Sequence, residues 1–212
     1  MKKRILFLIS LFTLYIFVSF YCYASNSLNN IEDKVFRLHI IANSNSEEDQ
    51  NLKYKVRDNI ISYMNEICKD TSSKEDVMKL AQKHIGDFKK IADYTIIDNG
   101  FNYTSYVEIG NYEFPTKYYG NISLPSGYYD ALEIKLGSHS GQNWWCVLYP
   151  SLCFIDASSG ILPESSKEEL KNILPSEEYA LISENTPTYN FKFKLVELFS
   201  SSFILGKNEV ES

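Results

Sequence analysis

The sequence predicts an α+β fold: a strand, an antiparallel helix pair, then a mostly antiparallel sheet, preceded by an apolar N-terminal helix. Three patterns carry this. Val35–Ile41 alternates with period two, and two helical stripes run between residues 47 and 92. Short alternating stretches with turn signals follow Gly100. The aromatic supply of 13 Phe, 16 Tyr and 2 Trp, with only 9 Gly and 6 Pro, suits a packed core containing β-structure.

Lys2-Lys3-Arg4 precede an uncharged run from Ile5 to Ala24. A basic flank before such a run is the pattern of an export segment whose positive end stays in the cytoplasm. Twenty helical residues reach roughly 30 Å, enough to cross a bilayer. Cys22-Tyr23-Ala24 also places small residues where a signal peptidase reads. Residues 1–24 are therefore a cleaved signal peptide or a retained anchor, and both put the rest of the chain outside the cytoplasm. Residues 25–34, polar and Asn-rich, are expected as a spacer, and residues 35–212 as a single domain.

In the first strand Phe36, Leu38 and Ile40 form one apolar face. Arg37 and His39 lie on the other, expected to be solvated. Asn43-Ser44-Asn45-Ser46 then supplies helix-start residues, with Ser46 and Asp49 spaced like a capping box. Leu52, Val56, Ile60, Met64 and Ile67 make the first stripe. Val77, Leu80, Ala81, His84, Ile85, Phe88, Ile91 and Ala92 make a second helix after a turn at 68–73. Tyr103–Ile109 reads as a strand, Gly110-Asn111 as a hairpin turn, and Tyr112–Tyr119 as the returning strand. Leu132–Leu136 is another strand ending at Gly137, a short helix is expected over Glu164–Ile173, and a weak strand over Tyr189–Leu195.

The chain carries 21 basic and 27 acidic side chains. Removing the three N-terminal cations leaves an acidic body of −9, without the basic stripe that nucleic acid would require. No G-x-G, phosphate loop or H-E-x-x-H occurs, so no cofactor and no metal site is expected. Asn43, Asn45, Glu47 and Asp49 alternate like a calcium loop, but Glu48 stands where that loop needs Gly, and helix capping explains them. His84 sits in an apolar stripe and reads as a hydrogen-bonded core histidine.

Cys146 and Cys153 enclose a short loop and are either a disulfide or two buried thiols; Cys68 is the other cysteine of the exported part. A nucleophilic Cys146 with His139 is the enzymatic alternative: a secreted cysteine-dependent hydrolase acting on cell wall or peptides. Nothing near them in sequence supplies a third, orienting group. Trp144 and Trp145 are adjacent, so in a strand they point to opposite faces, and an exposed Trp is a frequent interface anchor.

Arg37-Leu38-His39-Ile40-Ile41-Ala42-Asn43-Ser44-Asn45-Ser46, then Asp49-Gln50-x-Leu52-Lys53-x-x-Val56-Arg57-Asp58, strongly resembles the stage II sporulation protein R family. Asn143-Trp144-Trp145-Cys146-Val147-Leu148-Tyr149-Pro150-x-Leu152-Cys153-Phe154 is similar to that family's second signature. Asn45, Tyr149 and Ser151 are mild departures. The resemblance implies a signalling protein rather than an enzyme. It would be exported into the space between forespore and mother-cell membranes. There it would trigger a membrane-embedded aspartic protease that processes a pro-sigma factor. Arg37, His39, Asn143, Trp144 and Trp145 are the expected contact residues for that partner, with membrane contact only through residues 1–24.

Overall fold

The computed structural model describes residues 2–150, 152 and 164–183, and of residues 23–29 the backbone alone. Helix α1 spans Lys2–Lys34, and Lys2–Cys22 within it is long and apolar enough to cross a membrane, with mean hydropathy 2.3. Residues 25–34 are helical: no Gly or Pro interrupts them, and the helix end is anchored. Ile31 is fully buried, Asn30 Nδ2 donates to Glu178 Oε1 at 2.7 Å, and Lys74 Nζ donates to the Glu32 carbonyl at 3.2 Å.

Strand β1 (Phe36–Ile41) leads into α2 (Glu47–Ile67), whose N-cap Ser46 accepts from the Asp49 amide. Leu52, Val56, Ile60 and Met64 are buried as the stripe requires. The expected second helix is two, α3 (Lys74–Lys83) and α4 (Ile85–Asp98). The chain turns at His84, where φ is −100° and ψ 14°, and Gly86, a weak helix former, follows with open space where a Cβ would stand. The apolar face survives the break, with Val77, Ala81, Phe88 and Ala92 all buried.

Strand β2 (Ser105–Phe114) runs straight through Gly110-Asn111, so that pair is not a turn. The hairpin lies further on, between β3 (Lys117–Tyr119) and β4 (Ile122–Leu124), where Gly120 takes φ +59°. Gly110 serves the strand differently: the Tyr112 ring lies across it, 2.9 Å from where a Cβ would stand. β5 (Gly127–Leu136), β6 (Asn143–Tyr149), α5 (Glu164–Ile173) and α6 (Ser176–Ile182) complete the described elements. The span expected as a strand over Tyr189–Leu195 lies outside the described residues.

The sheet order is β2-β5-β1-β6, with β1 parallel to β5 and the other pairs antiparallel. One face carries Leu38, Ile40, Leu132 and Ile134 against α2–α4. The opposite face carries Arg37, His39, Glu133, Tyr129, Phe114 and Trp145, partly roofed by the β3–β4 hairpin through Tyr119.

Candidate functional site

Both sequence motifs meet in space. The strand of the first, β1, pairs with the strand of the second, β6, so that Arg37 faces Val147, His39 faces Trp145 and Ile41 faces Asn143. The loop after β1 is locked to the loop between β5 and β6. Asn43 Oδ1 accepts from the Ser138 amide at 2.8 Å, Asn45 Oδ1 from the Gln142 amide at 2.9 Å, and the Gly141 amide donates to the Ala42 carbonyl at 2.9 Å. Gly137, at φ +53°, leaves the space that the Asn43 side chain fills. Asp49 gathers the arrangement from below, accepting from Ser44 Oγ at 2.5 Å, Asn43 Nδ2 at 2.9 Å and Tyr103 Oη at 2.5 Å. Burial pushes its carboxyl pKa up, but these donors outweigh burial and hold it below the ordinary value. The Asn-Ser run is therefore a latch, with no cation needed to explain it.

Arg37 is not on a solvated face. It is 0% exposed, with its guanidinium carbon 4.0 Å above the Phe114 ring and 4.7 Å from the Tyr129 ring. Nη2 donates to Tyr119 Oη at 2.7 Å, while Nε and Nη1 have no hydrogen-bond partner. Among the described residues no carboxylate balances the charge, and burial lowers the guanidinium's pKa. The hairpin and Phe114, both distant in sequence, close over this side chain, which is why the strand pattern alone placed it in water.

His39 is buried too, at 6% exposure. The Trp145 ring stacks on it at 3.7 Å with planes 11° apart, and Phe114 meets Trp145 edge-on at 4.7 Å. His39 Nδ1 lies 2.9 Å from Glu133 Oε1 and Nε2 lies 3.0 Å from Asn143 Oδ1. Burial depresses the imidazole's pKa against the pull of Asn143 and Glu133. Beyond Glu133 stands Lys135, whose ammonium lies 2.5 Å from Glu133 Oε2 and 2.9 Å from Glu108 Oε1. Those two carboxylates, Glu133 first, raise the Lys135 pKa, and Lys135 in turn lowers that of Glu108. Glu133, Lys135, Glu108 and Phe114 were invisible as site residues in the sequence. The alternation of Glu108, Glu133 and Lys135 with apolar residues reads as an ordinary polar face, and only the β1–β5 pairing brings Glu133 beside His39.

Four of the five expected contact residues thus share one sheet face: Arg37, His39, Asn143 and Trp145. Only Asn143 and the half-buried Trp145 reach its surface; Arg37 and His39 support them from beneath. Trp144 lies on the helix face instead, half-buried, with the Arg57 guanidinium 4.4 Å over its ring and Tyr54 edge-on at 5.5 Å.

Cys146 is 2% exposed and disulfide-bonded, so its sulfur is not available as a nucleophile. Cys22 and Cys68 are free, and Cys153 lies outside the described residues. His139, at φ +43°, turns its Nδ1 to the Gly137 carbonyl at 3.3 Å. His84 binds Tyr63 Oη at 2.8 Å and Asp87 Oδ2 at 3.1 Å, a hydrogen-bonded histidine pinning the α3–α4 turn. Among the described residues no three His, Cys, Asp or Glu side chains converge to hold a metal ion.

The family model for stage II sporulation protein R matches residues 32–159, which include β1, the latch, the sheet and the second motif. The chain is 37% identical over 186 residues to "Stage II sporulation protein R" of Bacillus subtilis (strain 168), covering 82% of this chain and 83% of that protein. No solved structure gives a significant match. The two interlocked motifs, the apolar leader helix and these matches lead to one statement: the chain belongs to the stage II sporulation protein R family.

Proposed function

We propose that this protein is an exported signal that activates a membrane-embedded aspartic protease, which then processes a pro-sigma factor in the mother cell. The leader helix and the family membership support export during sporulation. The observation that carries the docking role is the half-buried Trp145, its ring held flat on His39 and edge-on to Phe114. An aromatic side chain fixed in advance loses little conformational freedom on contact, so most of its buried area becomes affinity.

Asn143 and Trp145 form the contact on one face and Trp144 with Arg57 on the other, so that the start of β6 is the docking edge. By linkage, the signal must bind the active arrangement of the protease more tightly than the inactive one. The working place is the space between the forespore and mother-cell membranes.

Co-expression of the chain with its candidate protease and pro-sigma factor, in cells that do not sporulate, tests the reading. Shortened sigma factor should form only when all three are present. Processing without this chain, or none with all three at normal levels, would refute it.

A further inference from the structure

His39 stands between two oxygens. Its Nδ1 is 2.9 Å from Glu133 Oε1 and its Nε2 is 3.0 Å from Asn143 Oδ1. A neutral imidazole has one N–H and one bare nitrogen, so only the imidazolium satisfies both oxygens at once. A half-turn of the ring would put carbons where both nitrogens stand, and Trp145, flat on it at 3.7 Å, holds its plane. Loss of the proton therefore leaves two arrangements. A bare Nδ1 would face the Glu133 carboxylate, acceptor against acceptor, and Glu133 is pinned by the Lys135 ammonium 2.5 Å from its Oε2. A bare Nε2 needs a donor at Asn143, and a half-turn of that side-chain amide supplies one by exchanging Oδ1 for Nδ2. Asn143 is exposed, and among the described residues nothing holds its Nδ2. The amide is the part that turns.

We propose that the proton on His39 sets which end of the Asn143 amide the docking edge presents: the carbonyl when the imidazole is neutral, the NH2 when it is charged. The proposal rests on the docking role of the start of β6 given above, and it names the chemistry met there. The neutral form offers an acceptor, so the partner group opposite Asn143 is an N–H donor. Acid weakens the contact, because the turned amide then sets donor against donor.

The groups around the ring favour the neutral form. Burial, with Trp145 stacked and Phe114 edge-on, outweighs the pull of Asn143 and Glu133, and the Lys135 charge works in the same direction as burial. The Glu133 carboxylate is shared with Lys135, which Glu108 of β2 also holds at 2.9 Å. Arg37, two residues along β1 on the same face, is a further buried cation. Tyr112 of β2 and Tyr119 of the hairpin, both pushed up by burial, bring no charge.

The test is nitrogen NMR of the His39 ring and the Asn143 side-chain amide, on the full chain in detergent micelles, from about pH 8 to about pH 5. At the upper end His39 should carry its proton on Nδ1, with Nε2 bare. On acidification both nitrogens should gain protons with a midpoint below about 6.5, and the Asn143 amide signals should move with the same midpoint. Asn143→Asp sets a carboxylate against Nε2 and should raise that midpoint, whereas Asn143→Leu should not. A proton on Nε2 at the upper end, or ring titration that leaves the Asn143 amide unchanged, would overturn the proposal. This arm needs no protease, so it is decided separately from the docking role. In the co-expression assay both substitutions touch the contact and lower cleavage. Asn143→Asp, an acceptor at every pH, should nonetheless retain at least about fivefold more than Asn143→Leu at matched protein levels. Equal loss, or greater loss with aspartate, would overturn the donor assigned to the partner. Cleavage that does not need the chain at all refutes the docking role instead.

Discussion

Replacing Arg37 by methionine should cost the fold little or stabilise it, although Arg37 is fully buried at the centre of the sheet. In its favour the guanidinium has one charge-assisted hydrogen bond to Tyr119, worth about 1.5–3 kcal/mol, and two aromatic faces, worth up to about 2 kcal/mol when desolvated. Against it stand the unpartnered Nε and Nη1, about 1–3 kcal/mol each, and an ionic desolvation cost of several kcal/mol. Methionine has a similar length, keeps the packing on Phe114 and Tyr129, and adds a sulfur–aromatic contact of about 0.3–1.5 kcal/mol. Tyr119 retains its weaker bond to the Trp145 carbonyl at 3.4 Å. The expected change lies between a loss of about 1 kcal/mol and a gain of about 3 kcal/mol. Urea unfolding followed by tryptophan fluorescence reads it directly, because Trp145 sits beside the site. Leu38→Ala, on the helix face of the same strand, is the control and should lose about 2–5 kcal/mol. If Arg37→Met costs more than about 3 kcal/mol, like that control, the guanidinium is not the uncompensated charge described above.

Three further outcomes are expected. Asp49→Ala should cost about 2–4 kcal/mol, read as a drop in thermal midpoint, because it strands the Tyr103 hydroxyl and frees the Asn43–Ser44 latch; a cost under about 0.5 kcal/mol would mean the latch holds without it. Burial holds the His39 pKa below its unfolded value of about 6.5, so the unfolded chain takes up this proton first and stability from this residue is complete only above that pH. Unfolding free energy should therefore fall as pH drops from about 6.5, and His39→Gln should flatten that slope; an unchanged slope would show that His39 titrates normally when folded. Deleting residues 2–29 should leave a folded domain, whereas deleting 2–35 should destabilise it by several kcal/mol through loss of buried Ile31 and Val35, as circular dichroism melts would report.

Local patterns carried the local structure. The period-two run of β1, the Ser46 cap and apolar stripe of α2, and the α5 helix were all readable, because each is set by neighbours within a few residues. The errors share one cause. Gly110-Asn111 has turn chemistry, but pairing along the whole of β5 keeps the strand straight, and the glycine makes room for Tyr112. Arg37 and His39 alternate with apolar residues, which predicts water. A parallel β1–β5 pairing and a hairpin some 80 residues away bury them instead. For the same reason the sequence pointed to His39, Asn143 and Trp145 separately, while Glu133 and Phe114, which hold them together, emerge only from the tertiary register.

The most direct measurement is pro-sigma cleavage in the three-component co-expression, comparing wild type with Trp145→Ala and Trp145→Phe at matched protein levels. Removing a preorganised aromatic anchor should cut cleavage by at least about tenfold, with phenylalanine restoring much of it. Undiminished cleavage by a folded, normally abundant Trp145→Ala protein would contradict the account, because the start of β6 would then not be where the signal is delivered.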